Sequence, residues 1–216
     1  MKILIYAVTS RRIAEHLRAL QLTQHAFPHG ADIKLVEAKP WTISDYSRFM
    51  VEKLSESVGD YDFVITVNWD GYAINRNRWT DDFFRYDYIG APWSKAWSKN
   101  GCRVGNGGFS LRSKAWISRA AQLGNPFGKP EDTFQCRENL DFFTSARLRV
   151  APIPLAMQFS AESRIGEFKN WRLDQSFGFH SWMMPCSDLY RLSIPTKRER
   201  WHGYKRRCLS EFLKHF

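Results

Sequence analysis

Cysteine is scarce and scattered. Cys102, Cys136, Cys186 and Cys208 stand far apart with no Cys-x-x-Cys pair among them, so neither a zinc site nor a disulfide scaffold is indicated. No apolar stretch approaches the ~18–20 residues of a membrane span. The first apolar run, Met1–Val8, is too short for a signal-peptide core and leads into Thr9-Ser10-Arg11-Arg12 rather than a small-residue cleavage site. Together these absences predict a cytoplasmic location. No internal repeat, low-complexity segment or linker precedes about Ser193, which argues for one domain over 1–192 followed by an extension over 193–216. A composition of 44% hydrophobic and 25% charged residues, with 13 Gly and 9 Pro, excludes disordered, collagen-like and coiled-coil chains.

What the chain has is positive charge and aromatic rings: a net charge of +10, and 15% Phe, Trp and Tyr among 216 residues. That pairing suggests an anionic partner and something flat to stack on, nucleic acid included. The charge is uneven, however. Between Tyr190 and Phe216, eight Lys/Arg face two acids, so most of the excess is terminal and the body is only mildly basic. No nucleic-acid-binding module is recognisable, which leaves nucleic acid the weakest of the readings.

The first half alternates strand and helix patterns. Lys2–Val8 reads as a buried strand; Ile13, Leu17 and Leu20 recur at helical spacing; Asp32–Glu37 is a second strand. Tyr46, Phe49, Met50 and Leu54 mark another helical face, with Thr42 or Ser44 as its cap, and Asp62–Asn68 is a third strand. Further on, strands are expected at Tyr86–Ala91, Gly107–Arg112 and Val150–Ala156. Helices are expected over Lys114–Leu123, capped by Ser113, and from Glu131 behind Pro130. This order predicts an α/β sheet, mostly parallel and covered on both faces. Ligands bind such sheets outside the carboxyl ends of the strands, here just after Val8 and Val67.

Four segments stand apart. Asn68-Trp69-Asp70-Gly71 ends a buried strand with a carboxylate, suited either to a divalent cation on a diphosphate or to a plain Asp-Gly turn. Gly105-Asn106-Gly107-Gly108 permits close backbone approach to a ligand. It lacks the Gly-Lys-Ser/Thr ending of a phosphate loop and the Gly-x-Gly-x-x-Gly fingerprint, so the alternative is a hairpin turn. Glu131 and Asp132, at a helix start, are candidate general bases or dipole-complementing acids. His180, in Phe177-Gly178-Phe179-His180, is a candidate metal ligand or a packed core histidine.

Taken together, Asn-Trp-Asp-Gly (68–71), Tyr-Asp-Tyr-Ile-Gly-Ala-Pro-Trp (86–93), Gly-Asn-Gly-Gly-Phe-Ser-Leu-Arg-Ser (105–113), Pro-Glu-Asp (130–132), Ala-Pro (151–152), Phe-Ser-Ala-Glu (159–162) and Phe-Gly-Phe-His (177–180) follow a recognisable order. The sequence resembles, over roughly Tyr46 to His180, a family of compact proteins catalogued as a domain of unknown function and regarded as glycosyltransferases of the GT-A fold. More distantly it looks like Fringe-type and core-1-type inverting β-1,3-glycosyltransferases. The resemblance implies a single GT-A-like, Rossmann-like domain using a nucleotide-sugar donor. Asp70 would match the last acid of an Asp-x-Asp metal motif, and His180 the late His that completes the metal shell. Asp132, with Glu131 beside it, would match the base for the acceptor hydroxyl, giving inversion. Thr9, Ser10, Arg11, Asn68, Asp70, Gly71, Gly107 and Gly108 would line the donor site, and Trp93, Trp97 and Asn106 the acceptor site. The chain has Asn68 where the full motif has an acid. Manganese or magnesium is implied, with metal-free chemistry assisted by Arg or Lys as the alternative.

Tyr204–Phe216 places Cys208, Leu209, Phe212, Leu213 and Phe216 on one helical arc opposite Arg206, Arg207, Glu211 and Lys214. Such a basic amphipathic helix either lies on the anionic inner face of a membrane or docks on the domain. The function expected is transfer of a sugar from a nucleotide sugar to a glycan or lipid-linked acceptor, in polysaccharide or lipopolysaccharide assembly. A non-catalytic carbohydrate-binding module on the same scaffold is the alternative.

Overall fold

The computed structural model describes residues 1–39, 42–95, 98, 101–163 and 173–183. The basic extension at 193–216 and Trp97 lie outside the described residues.

The first strand, β1 (Ile3–Thr9), is buried along its whole length. Its alternate residues serve two cores. Ile3, Ile5 and Ala7 pack with Ala19 and Leu20 of helix α1 (Ile13–Ala26), while Leu4, Tyr6 and Val8 pack with Met50 of α2 (Ile43–Glu52) and Leu54 and Val58 of α3 (Leu54–Val58). A strand buried on both faces needs an unbroken apolar run, which is why this segment does not alternate. Strands β2 (Asp32–Glu37) and β3 (Phe63–Val67) flank β1 in parallel. Beyond β3 come β6 (Phe109–Ser113), antiparallel to it, and then β5 (Tyr88–Ile89). The order β2-β1-β3-β6-β5 makes a mostly parallel sheet in which β6 alone runs against the others.

The expected caps are present. Thr42 and Asp45 form a reciprocal capping box on α2, and Ser113 caps α4 (Lys114–Leu123) by accepting from the Trp116 N–H at 3.0 Å. α1 differs from expectation. Its buried face is His16, Ala19, Leu20, Thr23 and Ala26, while Ile13 and Leu17 are exposed. The inward stripe therefore mixes Leu20 with small and polar residues, and Thr23 accepts the Ala73 N–H at 3.1 Å.

A second correction concerns Val150–Ala156. Only Val150 makes a strand-like bridge, to Tyr88; Pro152 ends the extended chain and opens helix α6 (Ile153–Phe159). A three-stranded sheet absent from the sequence reading follows: β4 (Gly71–Ala73), β8 (Gly178–Met183) and β7 (Ser160–Ser163), in the order β4-β8-β7. Between the sheets an aromatic core forms, with Phe109 and Phe159 stacked at 5.0 Å and Phe177 tilted against both.

Candidate active site

Tyr6 of β1 sits level with Thr66 of β3, so Thr9 and the residues after it lie level with the turn that follows β3. Because β6 is antiparallel to β3, pairing Val67 with Phe109, the glycine run preceding β6 arrives at the same edge. The carboxyl edge of β1 and β3 thus gathers Thr9–Arg12, Asn68–Gly71 and Asn106–Gly108.

A cavity of about 310 Å³ opens there, lined by Thr9, Ser10, Arg11, Arg12, His16, Tyr46, Asn68 and Trp69, with Val8, Thr42 and Ile43 completing the wall. The Arg12 guanidinium lies 4.4 Å over the Trp69 ring, and the Tyr46 hydroxyl lies beside the Asn68 side chain. Arg12 itself begins α1 in the left-handed conformation (φ 56°), and no side chain caps that helix. His16 is buried with its ring nitrogen 2.9 Å from the Arg12 carbonyl; burial lowers its pKa against the pull of the nearby Asp70 charge.

Asn68 and Gly71 exchange both backbone hydrogen bonds (2.9 and 3.0 Å), which makes 68–71 a tight hairpin with Trp69 and Asp70 at its corner. The Asp-Gly turn reading therefore holds, with the Asp70 carboxylate at the corner of that turn. Across the second sheet Gly71 pairs with His180. His180 Nε2 is 3.9 Å from Asp70 Oδ1, and His180 Nδ1 is 3.1 Å from Glu162 Oε1. Burial opposes a charge on His180, yet the bond to Glu162 and the Asp70 charge outweigh it and raise its pKa. Close approach is possible because two glycines face the ring: a Cβ on Gly108 would stand 2.3 Å from His180 Nε2, and one on Gly71 would stand 3.0 Å from its Cδ2.

A carboxylate and an imidazole on one side, with a second carboxylate holding the far imidazole nitrogen, is a donor set suited to a divalent cation. Among the described residues no three His, Cys, Asp or Glu side chains form a complete cage. Asp70 and His180 would supply two ligands to such a cation, which would have to take its others from outside the protein.

Asp132 lies at the start of α5 (Glu131–Thr133), which continues as a π-helical turn over Phe134–Glu138. Its Oδ2 accepts the Gly107 N–H at 3.2 Å and its Oδ1 the Thr133 N–H at 2.7 Å, and its charge is felt by both His180 and Tyr46. Glu131 turns the other way. It is 3% exposed and bonded to Arg112, itself 1% exposed, at 2.9 Å, so it presents no surface to an acceptor. Burial raises the Glu131 pKa against the opposing pull of Arg112.

Two residues expected on an acceptor are placed elsewhere. Trp93 is buried with its ring against Gly105, so its face is covered rather than offered to a sugar. Asn106, 1% exposed and at φ 67°, instead accepts the Gly108 N–H through Oδ1 at 3.0 Å and shapes the loop. Three contributors were not singled out from sequence. Glu162 and Arg112 sit inside strings already noted, Phe-Ser-Ala-Glu and Phe-Ser-Leu-Arg-Ser, but a lone acid or base carries no spacing signal. His16 lies on a helical face whose polarity could have marked it.

A family model described as "Protein of unknown function (DUF5672)" matches residues 32–180, and the chain belongs to that family. No curated protein matches the sequence. Among solved structures, a glycosyltransferase involved in the glycosylation of the major capsid of PBCV-1 superimposes with a TM-score of 0.55 at 14% identity, covering 87% of this chain and 96% of that one. The galactosyltransferase LgtC, solved with donor and acceptor sugar analogues, gives a TM-score of 0.49 at 15% identity, covering 94% and 99%. The first likeness establishes a GT-A-like fold for this chain.

Proposed function

We propose that this member of the DUF5672 family is a nucleotide-sugar-dependent glycosyltransferase that inverts configuration in a single displacement. The observation that carries the reading is convergence: the cavity after β1, the Asp70–His180 pair and the Asp132 carboxylate share one edge of the sheet, joined by the Asn106–Gly108 loop. The cavity takes the nucleotide. Trp69 and Tyr46 offer aromatic surface, while Arg11, Arg12 and the uncapped N-terminus of α1 favour an anion. Asp70 and His180 would hold a manganese or magnesium ion, which when bound offsets charge on the leaving diphosphate. Gly107 and Gly108 bring the loop backbone beside Asp132 and His180, next to where the donor sugar would lie. Asp132 takes the proton of the acceptor hydroxyl as its oxygen bonds to the anomeric carbon; the bond to the diphosphate breaks, and its electron pair leaves with the nucleotide. The amphipathic basic sequence at 197–216 supports a lipid-linked glycan as acceptor, as in polysaccharide or lipopolysaccharide assembly.

A thermal-shift screen of UDP-, GDP-, CMP- and dTDP-sugars, with and without manganese, tests the reading. At a ligand concentration about 100 times Kd, binding stabilises the fold by ~2.7 kcal/mol. A nucleotide sugar is expected to raise Tm, with manganese enlarging the shift; no shift from any of them overturns the donor site. Asp132→Asn is expected to lower turnover by about 10²–10⁴-fold while leaving that shift in place.

A further inference from the structure

Beneath the glycine loop runs a chain of buried polar contacts that the transfer step does not itself use. Thr66 on β3 shares a 2.7 Å hydrogen bond with Ser110 on β6 and donates to the Gly107 carbonyl at 3.2 Å. Ser110 Oγ accepts from Arg112 Nε at 3.0 Å, and Arg112 Nη2 donates to Glu131 Oε1 at 2.9 Å. The chain ends one residue short of Asp132, whose Oδ2 accepts the Gly107 N–H. Gly107 is therefore held on three sides. Thr66 takes its carbonyl, Asp132 its N–H, and Glu131 its α-carbon face, where Oε1 lies 1.5 Å from the place a Cβ would occupy.

We propose that Arg112 and Glu131 are positioning residues: their buried ion pair fixes the Gly107 peptide and, through it, the direction of the Asp132 carboxylate. The proposal rests on the reading of Asp132 as the base.

Stability does not account for the pair, because a buried ion pair is commonly matched or bettered by apolar groups of the same volume. Nor is the network closed. Glu131 Oε2 and Asn106 Nδ2, both buried, have no hydrogen-bond partner among the described residues, and both belong to residues in contact with Gly107 or joined to it. Buried polar groups left short in this way are tolerated where position matters more than stability. What the pair does supply is direction. The guanidinium is a rigid fork, and with Nε anchored on Ser110 its Nη2 can reach in only one way. Glu131 is the first residue of α5, so fixing its side chain fixes the phase at which Asp132 leaves that helix.

The test compares Glu131→Gln, Arg112→Lys and the charge-free double variant Arg112→Met/Glu131→Gln. Glu131→Gln strands a buried cation and is expected to lower Tm; the double variant, which has no such cation, is expected to recover it. In the folded double variant the Gly107 amide is expected to exchange with deuterium at least tenfold faster than in the parent protein, while the Leu35 amide in β2 is unchanged. Nucleoside diphosphate release from UDP- or GDP-sugars is expected to fall at least tenfold in kcat, with the donor KM within twofold. Gly107 exchange within twofold of the parent in a folded double variant overturns the proposal. If the double variant does not fold, Arg112→Lys, which keeps the charge but loses the fork, is read by the same exchange criterion. Asp132→Asn separates the two ideas: turnover retained in that variant removes Asp132 as base, whatever Gly107 exchange shows about the pair.

Discussion

Gly108→Ala bears directly on the meeting point of the hairpin, the glycine loop and β8. The added methyl carbon would stand 2.3 Å from His180 Nε2 and 2.4 Å from Cδ2. An ordinary contact begins near 3.4 Å, so the ring must retreat by about 1 Å. It has little freedom to do so. Its backbone pairs with Gly71, its Nδ1 bonds Glu162 at 3.1 Å, and Gly71 closes the adjacent face. Overpacking of this kind costs about 1–3 kcal/mol. At roughly 2–4 °C per kcal/mol for a chain of this size, Tm should fall by about 2–12 °C. Function should suffer more, since a displacement of ~1 Å in a site can cost about 10²-fold. Differential scanning fluorimetry gives the stability, and calorimetric titration of MnCl₂ with UDP gives the binding. Gly30→Asn is the comparison: φ there is 74°, nothing lies within 4 Å, and Asn tolerates that conformation. Unchanged Tm and unchanged manganese–UDP binding in Gly108→Ala would refute the packing argument, because the ring would then have had room to spare.

Other outcomes follow from the same geometry. The His180 pKa is raised, so the stabilisation its charge provides is complete below the ordinary histidine value and lost as pH rises through the raised one. A cation and a proton compete for Nε2, so manganese affinity measured by calorimetry should climb over that same rise; a flat pH profile would exclude His180 as a ligand. Phe159→Ala removes a fully buried ring stacked on Phe109 and edge-on to Phe83, and urea unfolding should report a loss of about 3–5 kcal/mol. Removal of 197–216 should abolish sedimentation with anionic liposomes; equal binding by the shortened chain would locate any membrane contact elsewhere.

Much of the scaffold was legible because its signals are local. The apolar run at Ile3–Thr9, the Thr42 capping box and the Ser113 cap each depend on residues within a few positions of one another. Asp32–Glu37 and Lys114–Leu123 fall where the periodicity placed them. The failures share a cause as well. Val150–Ala156 has strand-like composition, but Pro152 and Pro154 suit the cap and first turn of a helix, and Ile153–Phe159 is helical. Strands β4, β7 and β8 are short and exist by pairing with one another, which no window of sequence contains.

The site divides in the same way. Sequence alone marked Asp70, the glycine loop, Asp132 and His180 as unusual residues, and the β1–α1 and β3 ends as the places to look. Only the tertiary structure decided which of them meet. The pairing of Gly71 with His180 brings Asp70, Glu162 and the imidazole together, and the antiparallel entry of β6 delivers Gly107 to Asp132. It also separated two adjacent acids that the sequence could not tell apart, burying Glu131 against Arg112 and leaving Asp132 half-buried beside the loop. The physical reason is range. Propensity, capping and periodicity act over a few residues, whereas a carboxylate's role depends on charges and hydrogen bonds brought in from strands far away in sequence.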